Sequence, residues 1–193
     1  MNTQATERYL ESFGKQVVNR AKGNLQRRKK GGGNLEKSIR FEVKETTEGY
    51  SVQFFMADYG TFVDKGVSGA GGKIKSGKHK GSYSGRRSYK DYESKIKTSP
   101  FKFGSGKSSG SIYKGIGSFI RKKGLQPRSE GGQYMTTAGL KIAIMRVLWI
   151  KGIHGISFFQ KPFGLGMQTF GSDFLSVLKK DILHNLPTEK KLK

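Results

Sequence analysis

The sequence predicts an α+β fold in which a small antiparallel sheet, with a β-hairpin at its core, is packed by N-terminal and C-terminal helices. Three observations predict it: an apolar stripe at helical spacing near the N-terminus, two consecutive segments that alternate with period two, and apolar faces at helical spacing near the C-terminus. Between the halves runs a long, basic, glycine- and serine-rich segment, 67–132. It reads as an irregular loop insertion within one domain spanning 1–193.

Over 4–30, Ala5, Tyr9, Phe13, Val17, Ala21 and Leu25 recur at every fourth residue, with Leu10 and Val18 beside them. That is the stripe of an amphipathic helix. Thr3 or Thr6 is placed to cap its start, and Gly14 and Gly23 each weaken it by about 1 kcal/mol relative to alanine. The run from Arg27 to Gly33, four cations and then three glycines, ends it. Over 37–45, Ile39, Phe41 and Val43 alternate with Arg40, Glu42 and Lys44, as in a half-buried strand. Thr46-Thr47-Glu48-Gly49 has the length of a hairpin turn, and Tyr50, Val52, Phe54 and Met56 alternate again in a second strand.

After the insertion, Thr136 or Thr137 opens a helix near 138–151 with Leu140, Ile144, Val147 and Leu148 on its apolar face, and Gly152 to Gly155 breaks it. Pro162 suits the first turn of a last helix, where its missing N–H costs no hydrogen bond. Phe163, Met167, Phe170, Phe174, Val177, Leu178 and Ile182 give that helix a wide apolar face. Gly164 and Gly166 predict an irregular first turn. The tail from Pro187 onward is basic and expected to fray.

The chain has 193 residues, 34% hydrophobic, enough for one core. It carries 37 Lys and Arg against 14 Asp and Glu, a net charge of +23. The segment 67–132 alone holds 16 basic and 3 acidic residues, over half of the excess, with 14 of the 28 glycines. Cysteine is absent, which excludes disulfides and thiolate metal sites. No apolar run approaches the ~20 residues of a membrane helix, and the N-terminus lacks the apolar core of a secretory leader. The expectation is a protein made and used without export, with no membrane contact and a polyanion for a partner.

Catalytic chemistry finds no constellation. His79, His154 and His184 lie far apart with no HxH or HxxxH spacing, and Glu42, Asp58 and Asp64 are the only acids near the expected sheet. Two-metal nucleases need several carboxylates in one site. The sequence therefore predicts no enzyme, no metal and no cofactor. Gly72 to His79 has a G-x4-G-K frame but ends in His, and Gly106-Lys107-Ser108 lacks the first glycine. Neither is flanked by the strand and helix of a phosphate loop.

The chemical signal is cationic. Lys73, Lys75, Lys78, Lys80, Arg86, Arg87, Lys90, Lys95 and Lys97 form one cluster, with tyrosines between them; Arg121, Lys122 and Lys123 form a second. Such segments bind nucleic-acid phosphates without reading sequence. The alternatives are a solvated loop that serves solubility, and a loop that orders against an acidic protein neighbour.

The order of elements, with Tyr59, Phe62, Val63, Asp64 and Gly66 after the hairpin and Pro162-Phe163 before the last helix, resembles the head–tail connector, or tail-completion (neck), proteins of tailed bacteriophages. The Tyr59–Val67 block and the segment GISFFQKPF are most similar to versions from short-tailed, crAss-like phages. The likeness covers 4–66 and 133–185; the long insertion departs from it. Tyr59, Phe62 and Val63 are expected to pack the hairpin onto the helices, and Gly66 to take a backbone conformation closed to other residues. The resemblance implies a virion structural protein, assembled in the host cytoplasm. It would form a homo-oligomeric ring in the neck, dodecameric by the portal's symmetry. Its partners would be the portal, other neck and tail proteins, and double-stranded DNA passing nonspecifically. The nine cations Lys73, Lys75, Lys78, Lys80, Arg86, Arg87, Arg121, Lys122 and Lys123 would face DNA or a neighbouring subunit. The alternative reading is a free-standing, sequence-nonspecific nucleic-acid-binding protein.

Overall fold

The computed structural model describes residues 4–28, 33–47, 49–75, 77–103, 110–126 and 136–186. In chain order the elements are α1 (Gln4–Arg27), α2 (Asn34–Ser38), β1 (Arg40–Thr46), β2 (Gly49–Phe55), α3 (Gly60–Lys65), β3 (Gly66–Ser68), β4 (Gly72–Ile74) and β5 (Gly81–Tyr83). There follow β6 (Ser88–Lys90), β7 (Ile96–Thr98), α4 (Gly110–Lys123), α5 (Thr137–Lys151), β8 (Gly152–His154) and α6 (Gln160–Asn185). The fold class is α+β with small sheets, each of two strands: β1-β2, β3-β8, β4-β5 and β6-β7. No helix among the described residues is long and apolar enough to cross a membrane.

The sequence reads as one domain with an irregular insertion. By its internal contacts the chain divides into two compact units, the first comprising 1–64, 90–95 and 157–193, the second 65–89 and 96–156. The expected loop carries β3 to β7 and α4. Three-residue strands have too few side chains to show a period. They are held by backbone bonds, such as Ser68 N to Phe101 O at 2.7 Å and Gly69 N to Gly85 O at 2.8 Å.

In the first unit, α1 buries Leu10, Phe13, Val17, Val18, Ala21 and Leu25, the stripe read from its period. It lies against β1 and α6. The hairpin pairs Phe41 with Phe54 and Val43 with Val52, and closes at Thr46 and Gly49; Glu48 of its turn lies outside the described residues, as do 29–32 of the glycine exit after α1 and the tail from 187. Gly14 does more than weaken α1. A Cβ there would stand 2.2 Å from Phe41 Cδ2, so its absence lets helix and hairpin meet. The core is aromatic: Phe13 meets Phe170 edge-on at 4.8 Å, Phe54 meets Phe159 at 5.4 Å and Phe163 stacks on Phe159 at 5.9 Å.

Two buried aspartates hold helix starts. Asp64, 2% exposed, accepts from Phe159 N at 2.8 Å and Gln160 N at 3.5 Å, at the start of α6. Pro162 is buried in the first turn, as expected, and α6 runs unbroken through Gly164 and Gly166. The irregular turn expected there is absent: the two glycines instead admit Tyr92 O and the Phe13 ring. At the start of α1, Asp181 accepts from Thr6 Oγ1 at 2.6 Å, Thr6 N at 2.8 Å and Ala5 N at 3.3 Å. Thr6 thus helps to fix that start, but as a donor to a residue 175 positions away.

The Thr6 hydroxyl above all, with the two amides, holds the Asp181 carboxyl below its ordinary 3.8. A lowered folded value contributes stability that is present above 3.8 and is lost as pH falls through the folded value. Asp181→Ala is therefore expected to lower the melting temperature at neutral pH, and the gap to wild type should shrink when both are melted below pH 3.8. Thermal melts across that window check it.

The resemblance block is corrected in part. Tyr59 is 47% and Phe62 43% exposed, and Val63 is half-buried, so the aromatic pair does not seal the hairpin onto the helices. They lie on or beside α3, a short helix whose buried residues are Gly60 and Asp64. Gly66 does take a positive φ, +76°, and a Cβ on it would meet Gly155 N at 2.4 Å.

Candidate nucleic-acid interface

Charge divides with the fold. The second unit holds eighteen Lys and Arg, and Glu130, which lies outside the described residues, is its one acid. The first unit holds nineteen basic and thirteen acidic residues. Asp91 and Glu93, the other acids of the insertion, belong to the first unit. There Asp91 Oδ1 closes a turn by accepting from Glu93 N and Lys95 N, and Glu93 pairs with Lys95 at 2.6 Å.

The basic cluster is accordingly split. Lys90 and Lys95 belong to the first unit; Lys73, Lys75, Lys78, Lys80, Arg86, Arg87 and Lys97 belong to the second. Lys73 stands on β4, whose partner β5 runs antiparallel with Lys73 opposite Ser82. Lys78 and Lys80 lie in the connection, where Lys80 N closes a turn on Gly77 O at 2.8 Å. The Gly72–His79 lookalike is therefore the first half of a hairpin, with no helix following it; Gly106-Lys107-Ser108 lies outside the described residues. Lys73, Lys75, Lys78, Lys80 and Arg86 are exposed. Arg121, Lys122 and Lys123 form the exposed last turn of α4, where cations complement the helix dipole.

Each tyrosine of the cluster already has a neighbour at its ring. Lys151 Nζ lies over Tyr83 at 4.2 Å and Lys65 Nζ over Tyr89 at 5.7 Å. Tyr92, in the first unit, meets Phe163 edge-on at 5.9 Å. Lys151 also donates to His79 Nδ1 at 3.1 Å, while Tyr83 Oη donates to His79 O at 2.8 Å.

Arg87 differs from its neighbours. It is half-buried, and its Nε is buried with no hydrogen-bond partner. Partial burial first, and the Arg87 charge second, push the His154 imidazole below its ordinary 6.5. The unfolded chain then takes up its proton first, so stability is intact above 6.5 and is lost as pH falls toward the lowered folded value. Arg87→Gln is expected to bring the His154 titration part of the way back toward 6.5, because burial remains. Proton NMR of the imidazole resonances across pH checks it.

The packing of the second unit was only partly legible. Thr136 caps α5, accepting from Gly139 N at 3.1 Å, as its sequence position predicts. Yet Leu140, Ile144, Val147 and Leu148 are only half-buried, and Ile142 and Trp149 are exposed. β3 pairs with β8 across the unit, Gly66 opposite His154 and Ser68 opposite Gly152. Ser68 to Gly71 then bond to three other segments: Ser68 N to Phe101 O, Gly69 N to Gly85 O, and Ala70 N and Gly71 N to Trp149 O and Ile150 O at the end of α5. Among the described residues no group of three His, Asp or Glu is placed to hold a metal. No family model, curated protein or solved structure matches the chain.

Proposed function

We propose that this chain is a structural subunit of the head–tail neck of a tailed bacteriophage. It assembles as a homo-oligomeric ring, dodecameric by the portal's symmetry, between portal and tail and around the DNA channel. The observation that carries the reading is the near-absence of acids from one compact unit: among its described residues the second unit carries sixteen Lys and Arg and no Asp or Glu, while the first unit mixes both signs. Such a unit attracts a phosphate backbone without selecting sequence, and a channel through which DNA slides needs that kind of contact. The reading assigns no catalysis, no cofactor and no metal.

Free-standing, sequence-nonspecific nucleic-acid binding fits the same charge. Exposed apolar side chains favour assembly over it. Ile142, Trp149 and Phe119 in the second unit, and Leu175, Leu183 and Leu186 along or just beyond α6, are between 43% and 65% exposed. A ring needs heterologous contacts between different surfaces of successive subunits, and apolar positions on each unit supply candidates. Native mass spectrometry and virion proteomics test the proposal together. A salt-resistant closed oligomer and a fixed copy number in purified particles support it. A monomer absent from particles, with salt-sensitive DNA binding, overturns it in favour of the free binder.

A further inference from the structure

In the second unit, Ser68, Ser84, Arg86, Thr98, Ser99 and Lys102 surround an open hollow of about 390 Å³, with Gly69 and Pro100 completing the wall. We propose that this hollow seats a tetrahedral phosphoryl oxyanion: a phosphodiester of a nucleic-acid backbone, or free phosphate. The proposal deepens the DNA-facing reading of this unit and rests on it for the source of the anion.

The lining has the required chemistry. Four hydroxyls and two cations face a hollow whose lining contains no carboxylate. Hydroxyls rotate to donate, and a guanidinium presents several N–H groups to oxyanion oxygens. Ser84 Oγ accepts from Arg86 N at 3.3 Å and Ser68 Oγ accepts from Arg87 N at 3.2 Å, so each keeps a proton to donate. Ser99 Oγ is already committed, donating to Gly66 O at 2.7 Å and accepting from Phe101 N at 3.2 Å. It fixes the wall rather than binding.

The frame is set before any ligand arrives. Ser68 N and O bond to Phe101 O and Phe103 N, Ser99 N bonds to Arg87 O, and Gly69 N bonds to Gly85 O. A Cβ on Gly85 would stand 2.5 Å from Gly69 O, so the two strands of backbone beneath the hollow are in contact. A lining held by backbone bonds loses little entropy on binding. Arg86 and Lys102 then supply charge, while the hydroxyls distinguish a phosphoryl group from a bare halide ion.

The test is an amide NMR titration of the full chain with inorganic phosphate, with chloride at matched ionic strength, and then with duplex DNA. The expected result is saturable shifts at Ser84, Arg86, Thr98 and Lys102 with phosphate but not chloride, and displacement of phosphate by duplex. Ser84→Ala and Thr98→Val leave the net charge unchanged. Each should weaken phosphate binding roughly threefold to tenfold, the value of one hydrogen bond, without changing the salt slope of DNA binding. Two exposed positions guard against a folding defect in either variant. Shifts that never saturate and spread over all the cations overturn the hollow as a site, as does unchanged affinity in both variants. In either case DNA binding can persist, and the reading of the unit stands. Saturable phosphate binding that duplex does not displace upholds the seat, assigns it to free phosphate and counts against the channel reading.

Discussion

Gly164→Ala is expected to lower the melting temperature by roughly 6–12 °C, while Gly171→Ala in the same helix raises it. A Cβ at Gly164 would stand 1.9 Å from Tyr92 O and 2.7 Å from Tyr92 C. Both are backbone atoms, so no rotamer change relieves the clash. α6 and the 90–95 segment must separate, and the Tyr92–Phe163 contact at 5.9 Å goes with them. Overpacking of this kind costs about 3 kcal/mol, and 1 kcal/mol moves the midpoint by about 2–4 °C in a chain of this size. Gly171 has nothing within 4 Å of its Cβ position. Alanine there gains helix propensity of about 1 kcal/mol, a rise of roughly 2–4 °C. Differential scanning calorimetry of the two variants measures opposite signs from one chemical change. Equal shifts would mean that the close approach of α6 to Tyr92 does not hold in solution.

That pair also shows what a sequence carries and what it hides. The α1 stripe and the β1–β2 register were legible because each side chain's environment repeats with the backbone period. From period alone, a glycine in a helix is a weak point. Only the fold shows that Gly14 and Gly164 mark approach of another chain segment. Asp64 and Asp181 were hidden for a related reason. A cap is usually sought within a few residues of the helix start, and these lie 95 and 175 positions away. The anion hollow was hidden in a stretch whose strands are three residues long. Its serines read as loop composition until the backbone bonds brought Ser68, Ser84 and Ser99 together. Charge was legible in bulk but not in its segregation. Counting along the chain leaves Asp91 and Glu93 among the lysines, whereas the fold gives them to the other unit.

The segregation leads to the second large effect. Replacing Lys73, Lys75, Lys78, Lys80 and Arg86 by Gln is expected to lower DNA affinity by orders of magnitude and to flatten its salt dependence. Each phosphate contact contributes about 0.9 to the slope of log affinity against log salt. Three contacts among these five residues would remove roughly 2.7 from the slope and, at about 0.1 M salt, roughly 500-fold in affinity. Arg87 is left in place because its guanidinium is half-buried near His154, so its loss would mix folding with binding. Arg121, Lys122 and Lys123 changed to Gln should do less: three charges at one helix end offer fewer contacts than five along β4, its turn and the segment after β5. Salt titrations on two unrelated duplexes decide among the outcomes. Equal affinity for both, with the larger slope change in the five-residue variant, is what sliding contacts require, since phosphates position a protein without informing it of sequence. An unchanged slope would turn this face toward an acidic protein neighbour. A strong preference for one duplex would replace the channel with a site that reads bases.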